Sequence, residues 1–146
     1  MKRLFIIVFI ALIGGCSERP KDDAPKVYIE DFFAVYKNTG ANEALDAIFA
    51  TNPLIGNNLD QVAAVKQKLQ EDTKTLGRFC CYDIISSPSI GARLITYSCL
   101  VCYEASPLKF NFAFYKADDQ WKLFNFKYES NLIDELDESA RFFYIH

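Results

Sequence analysis

Apolar residues recur at every third or fourth position through the first half of the chain and at every second position through most of the second half. This change of rhythm predicts helices followed by strands. Ile29, Phe32, Phe33 and Tyr36 make one apolar face of a helix over residues 25–37. Asp23 is placed to cap it, and Pro25 suits its first turn, because proline lacks the N–H that would be unpaired there. Asn38-Thr39-Gly40 ends it. A shorter helix over 42–50 turns Leu45, Ile48 and Phe49 inward and stops at Asn52-Pro53. A third starts from Asn58 as cap, with Gln61 three residues on in the capping-box arrangement. Leu59, Val62, Val65, Leu69 and Leu76 form its buried stripe, Lys66, Lys68, Glu71 and Lys74 face water, and Gly77 suits a left-handed exit.

From Arg78 onward the apolar residues are aromatic or β-branched and come in short runs broken by turn residues. Four strands are predicted, over 78–86, 93–104, 109–116 and 121–129. Their connections are short enough for antiparallel hairpins, so the strands form a meander. Alternation points Phe110, Phe112 and Phe114 to one face, and Phe124, Phe126 and Tyr128 likewise share a face. The expected architecture is α+β: three N-terminal helices packed on one face of a four-stranded antiparallel meander, with a short C-terminal helix. The opposite face is mixed, and Tyr115, Trp121 and Leu123 are expected to leave part of it apolar. The last stretch begins as an acidic amphipathic helix with Leu132, Leu136 and Ala140 in line. It closes on Phe142, Phe143 and Tyr144, which either fold back onto the domain, the favoured reading, or contact a partner.

The N-terminus has a different logic. Lys2 and Arg3 precede an unbroken apolar run over 4–13, and Gly14-Gly15 lead into Cys16. A helix crossing a bilayer needs about 20 apolar residues, so this run is the core of a secretory signal and no lasting anchor. Ile13-Gly14-Gly15-Cys16 resembles the lipobox of bacterial lipoproteins. The resemblance implies that residues 1–15 are removed and that Cys16 is acylated, so that fatty acid such as palmitate attaches the chain to a membrane. Ser17 is not the aspartate that retains such proteins at the inner membrane, which favours the outer membrane with the domain facing the periplasm. Residues 16–25 then comprise the lipidated cysteine and a flexible tether reaching up to about 30 Å, and 26–146 form a single domain. Removing 1–15 leaves 14 basic against 19 acidic side chains, a net charge of −5. An acidic domain without a basic stripe excludes nucleic acid as the expected partner.

Three helices followed by an antiparallel meander, closed by the hairpin FNFAFYKADDQWKLFNFKY, resemble the NTF2-like and cystatin-like α+β domains of small bacterial lipoproteins over about residues 27–130. That resemblance implies a fold and no single activity, since domains of this shape include pocket enzymes, ligand binders and interaction modules.

Cysteines are the clearest chemical group. Cys80, Cys81, Cys99 and Cys102 are an even number in a chain addressed to an oxidising compartment, and all four are disulfide candidates. If the first hairpin turns near Ile90, Cys80 or Cys81 lies opposite Cys99, with Cys102 beyond. Four cysteines allow three connectivities, and spacing does not choose among them. Cys99-Leu100-Val101-Cys102 has the redox spacing, but reactive versions sit at a helix N-terminus and this one lies in a strand. Adjacent Cys80-Cys81 has the wrong spacing for a zinc turn, so no metal is implied. His146, the single histidine, is the last residue and supports no catalytic triad. Asp83, Tyr97 and Tyr103 are the weak catalytic candidates, as base and oxyanion donors of a pocket between helices and sheet. The plainer expectation pairs Asp83 with Arg93 across the hairpin. No cofactor is implied. The leading expectation is a lipid-anchored periplasmic protein that binds an envelope protein or component without catalysis, through Tyr115, Trp121 and the terminal aromatics. The alternative is a small-molecule binder or isomerase-like pocket enzyme.

Overall fold

The computed structural model describes residues 24–143, with side chains described up to residue 137. The described residues form an α+β fold with helices α1 (Ala24–Asn38), α2 (Ala41–Phe49), α3 (Pro53–Gly56) and α4 (Leu59–Lys74). These are followed by strands β1 (Phe79–Ser86), β2 (Ser89–Ile90), β3 (Leu94–Tyr103), β4 (Leu108–Lys116) and β5 (Trp121–Glu129), and by α5 (Leu132–Phe143). The antiparallel sheet runs β1-β3-β4-β5, and β2 is a two-residue extension paired to β3. The helices and strands predicted from periodicity are present. The additions are the single turn α3, nucleated by Asn52, whose side chain accepts from the Leu54 N–H, and the short β2.

The core lies between the helical layer and one face of the sheet. Ile29, Phe32, Phe33 and Tyr36 of α1, Leu45, Ile48 and Phe49 of α2 and Leu69 of α4 pack onto Tyr97, Phe110, Phe112, Phe114, Leu123 and Phe126. Helix α4 buries less than its sequence stripe implies: Leu69 is fully buried, whereas Leu59 is 74% exposed. The capping box is also altered. Asn58 makes no side-chain bond to the backbone, and its Nδ2 donates to Gln61 Oε1 instead. Gly77 leaves α4 at φ +79°, and a Cβ there would sit 2.7 Å from Glu104 Oε2. That carboxylate accepts from the Arg78 backbone N–H and guanidinium, which hold its pKa below the usual range.

Three β-bulges, each one extra residue on one strand, re-aim side chains. Cys80 and Ile85 are the extra residues of β1, and Phe124 that of β5. The third overturns the predicted faces of β5. Trp121 and Leu123 point into the core ahead of the bulge and Phe126 after it, while Phe124 is 58% exposed. The bulge follows a point where the β5 edge is tied to the helical layer. The Leu123 N–H donates to Thr51 Oγ1 at 3.1 Å, and Asn52 Nδ2 donates to the Leu123 carbonyl at 2.8 Å.

Glu129, at the end of β5, joins the sheet to α5. It pairs with Lys127 at 2.7 Å and Lys109 at 3.2 Å, and Lys109 also bonds Glu135. Hydrogen bonds from Lys127 and Lys109 lower the Glu129 pKa from its ordinary 4.5 to about 2. A carboxylate with a depressed folded-state pKa stabilises above its unfolded value and loses that contribution as pH falls through the folded one. Stability is therefore expected to decline between about pH 4.5 and about pH 2, with this cluster contributing below about 1 kcal/mol because it is partly exposed. Urea denaturation across that range should show a shallower decline for Glu129→Gln than for the wild type.

Candidate functional site

A polar recess of about 480 Å³ opens where the end of α1, the start of α2, the end of α4 and the β1/β3 edge converge. Its volume is within the range of small-molecule sites. Tyr36 comes from the last turns of α1 and Tyr103 from the end of β3, and their hydroxyls are 2.5 Å apart. Gly40, at φ +120°, makes the turn that starts α2 and puts Asn42 and Glu43 on the rim. Gln70, Thr73 and Lys74 of α4 close the other side.

Burial raises the pKa of both tyrosines, so each hydroxyl keeps its proton at neutral pH. One O–H serves the bond between them, and the other remains to donate outside the pair. Asn42 Oδ1 is buried without a hydrogen-bond partner among the described residues. A buried acceptor in that state costs about 1–3 kcal/mol unless a water or ligand donor meets it. The recess thus offers neutral hydroxyl and amide groups with one acid, Glu43, and one base, Lys74. These groups suit binding of a neutral or zwitterionic polar molecule.

The sequence-predicted catalytic group does not assemble. Asp83 is exposed, opposite Leu100, whereas Tyr97 and Tyr103 are buried on the helix-facing side of the sheet. Tyr97 packs against Phe114 and takes no part in the recess. The expected pairing of Asp83 with Arg93 is also replaced, since Arg93 donates to the Lys116 and Ala117 carbonyls. Of the three candidates only Tyr103 lines the recess. Its partner Tyr36 was legible as core from helical spacing, and Asn42 carried no signal, because this site is made by the ends of elements distant in sequence.

The cysteine register also differs from expectation. The hairpin turns about Gly91, at φ +60°, and β2 pairs Ser89 with Ile95 and Ile90 with Leu94. With the bulge at Ile85, this puts Ile84 opposite Cys99 and Cys81 opposite Cys102, and the bulge at Cys80 follows. Cys99 is fully buried, so Cys99 and Cys102 lie on opposite faces of β3 and cannot act as a redox Cys-x-x-Cys. All four are thiols in this structure. Among the described residues no cluster of three or more His, Cys, Asp or Glu side chains could hold a metal ion.

The expected partner surface is partly revised. Tyr115 is 45% exposed, but Trp121 is buried with Lys116 Nζ 5.6 Å from its ring. Phe124 takes its place, with its ring 6.3 Å from that of Tyr115. Cys16 and Tyr144 lie outside the described residues, as do the side chains of Phe142 and Phe143. No described helix is long and apolar enough to cross a membrane. Comparison with known proteins finds no family model, no curated protein and no solved structure that matches the chain.

Proposed function

We propose that this chain is a lipid-anchored protein of the bacterial envelope, facing the periplasm, that binds a small polar envelope component without catalysing its conversion. The observation that carries the binding role is the recess floored by the Tyr36 and Tyr103 hydroxyl pair, with the buried Asn42 oxygen at its rim. Tyrosines held protonated are donors for a ligand and poor bases, which favours recognition over proton transfer. The anchor rests on the cationic start, the short apolar run and Ile13-Gly14-Gly15-Cys16.

A second reading has its own observation. Tyr115 and Phe124 form an exposed aromatic pair on the sheet, a surface that suits docking of a protein. One experiment separates the two. A genetically encoded photo-crosslinker is placed at Thr39, on the recess rim, or at Phe124 in the full chain, and the intact masses of adducts formed in cells are measured. Small-molecule adducts at Thr39 that disappear with Tyr103→Phe support the recess. Protein-sized adducts at Phe124 that disappear with Tyr115→Ala support the second reading. No adduct at Thr39 would sink the first.

A further inference from the structure

We propose that Cys81 and Cys102 form a thiol/disulfide site, a bridge between neighbouring strands on the face of the sheet away from the core. They are directly opposite in the β1/β3 register. Residues so placed in antiparallel strands have Cα atoms about 4.5–5.5 Å apart, inside the window for a disulfide. The Cys81 side chain is also the main influence that raises the Cys102 thiol pKa. Cys81 is exposed and Cys102 half-buried, so a reagent from solvent reaches the pair.

A bulge selects this pairing. Counted from the hairpin, Tyr82 would oppose Cys102 without the extra residue Ile85 in β1, and with it Cys81 takes that position. The second bulge loops out Cys80, whose Sγ turns to the Arg78 carbonyl at 3.5 Å. Cys99 is excluded because it is sealed in the core on the other face, where burial pushes its thiol up to about 12. Of the possible pairs only Cys81 with Cys102 combines register, a shared face and access. None of these three properties depends on the recess or on what it binds.

The chemistry balances with a disulfide oxidant, such as oxidised glutathione or the oxidised dithiol of another protein. The neighbouring Cys81 side chain, with burial, pushes the Cys102 thiol up to about 11, and Cys81, exposed to solvent, begins the exchange. The Cys81 thiolate attacks one sulfur of the oxidant, whose S–S bond breaks to release a thiolate. Cys102, on losing its proton, then displaces the second thiolate and closes the Cys81 to Cys102 bond. Two protons and two electrons pass from the pair to the oxidant. The product fastens β1, which pairs with β3 alone among the longer strands, to the body of the sheet.

Trypsin separates the relevant cysteines, since Arg78, Arg93 and Lys109 bound the segments 79–93 and 94–109. The detergent-solubilised full chain is treated with oxidised glutathione, its remaining thiols are alkylated, and it is digested and analysed by mass spectrometry without reduction. The expected result is a joined pair of these two peptides, with fragmentation locating the bond between Cys81 and Cys102. Reduction should separate it, Cys102→Ser should abolish it and Cys80→Ser should leave it. Absence of a joined pair, or a bond located on Cys80 or Cys99, would overturn the proposal. Because the bond is located in wild-type protein, the test does not depend on the folding of any variant.

Discussion

Phe32→Ala should lower unfolding stability by about 4 kcal/mol, the largest loss expected from a single side chain in this domain. Phe32 is 2% exposed at the crossing of α1 with β4 and β5. Its ring centroid lies 5.0 Å from Phe112, 5.1 Å from Phe33 and 5.7 Å from Tyr36, with Phe110 and Phe126 both at 6.3 Å. Truncation removes the transfer free energy of the ring and leaves a cavity that five rigid aromatics cannot collapse to fill. The edge-on contacts, each about 0.5–1.5 kcal/mol in isolation, are not additive and are already part of that total. For a domain of ordinary stability, about 5–15 kcal/mol, this is a large fraction of what holds it folded. Exposed Phe124→Ala should stay within about 0.5 kcal/mol and serves as the comparison. Urea unfolding midpoints at constant slope measure both. A loss below about 1 kcal/mol for Phe32→Ala would mean that α1 is not seated on the sheet as described.

Cys16→Ala should abolish fatty-acid incorporation completely and move the protein off the membrane. Length is the first reason. The apolar run over 4–13 spans about 15 Å as a helix, half of a bilayer core. On the proposed lipoprotein reading, retention of the processed chain would come from acyl chains, each buried CH₂ contributing about 0.8 kcal/mol and more than one chain being needed for stable attachment. The expected outcome is labelling of wild type by a clickable fatty acid, none for Cys16→Ala, and recovery of the variant away from the membrane fraction. Equal labelling of the two would overturn the anchor, while leaving the recess and the cysteine pair untouched.

The recess is not legible in the sequence. Tyr36 and Tyr103 are 67 positions apart, and each satisfies an apolar face in its own element, so nothing in either pattern announces that their hydroxyls meet. Asp83 stands out in the sequence as an acid inside a strand. Its place on the exposed side, across from Leu100, follows from the β1 register, and that register depends on where the hairpin turns and on the bulged residue Ile85.

What the sequence by itself determined is the kind and order of the longer elements, because helical and strand periodicities are local and need only one apolar face to be read. The strands over 79–86, 94–103, 108–116 and 121–129 lie within one residue of expectation at each end. What only the tertiary structure decided is which way individual side chains point. Each bulge adds one residue to a strand with a period of two, and a shift of one reverses every face beyond it. Bulges leave no periodic trace. The one at Phe124 stands beside the bonds from Thr51 and Asn52 to Leu123, made by a loop more than 70 residues earlier in the chain. The ones in β1 accompany the apposition of Cys81 with Cys102. Both the aromatic surface and the thiol pair are therefore properties of register, which contacts distant in sequence set.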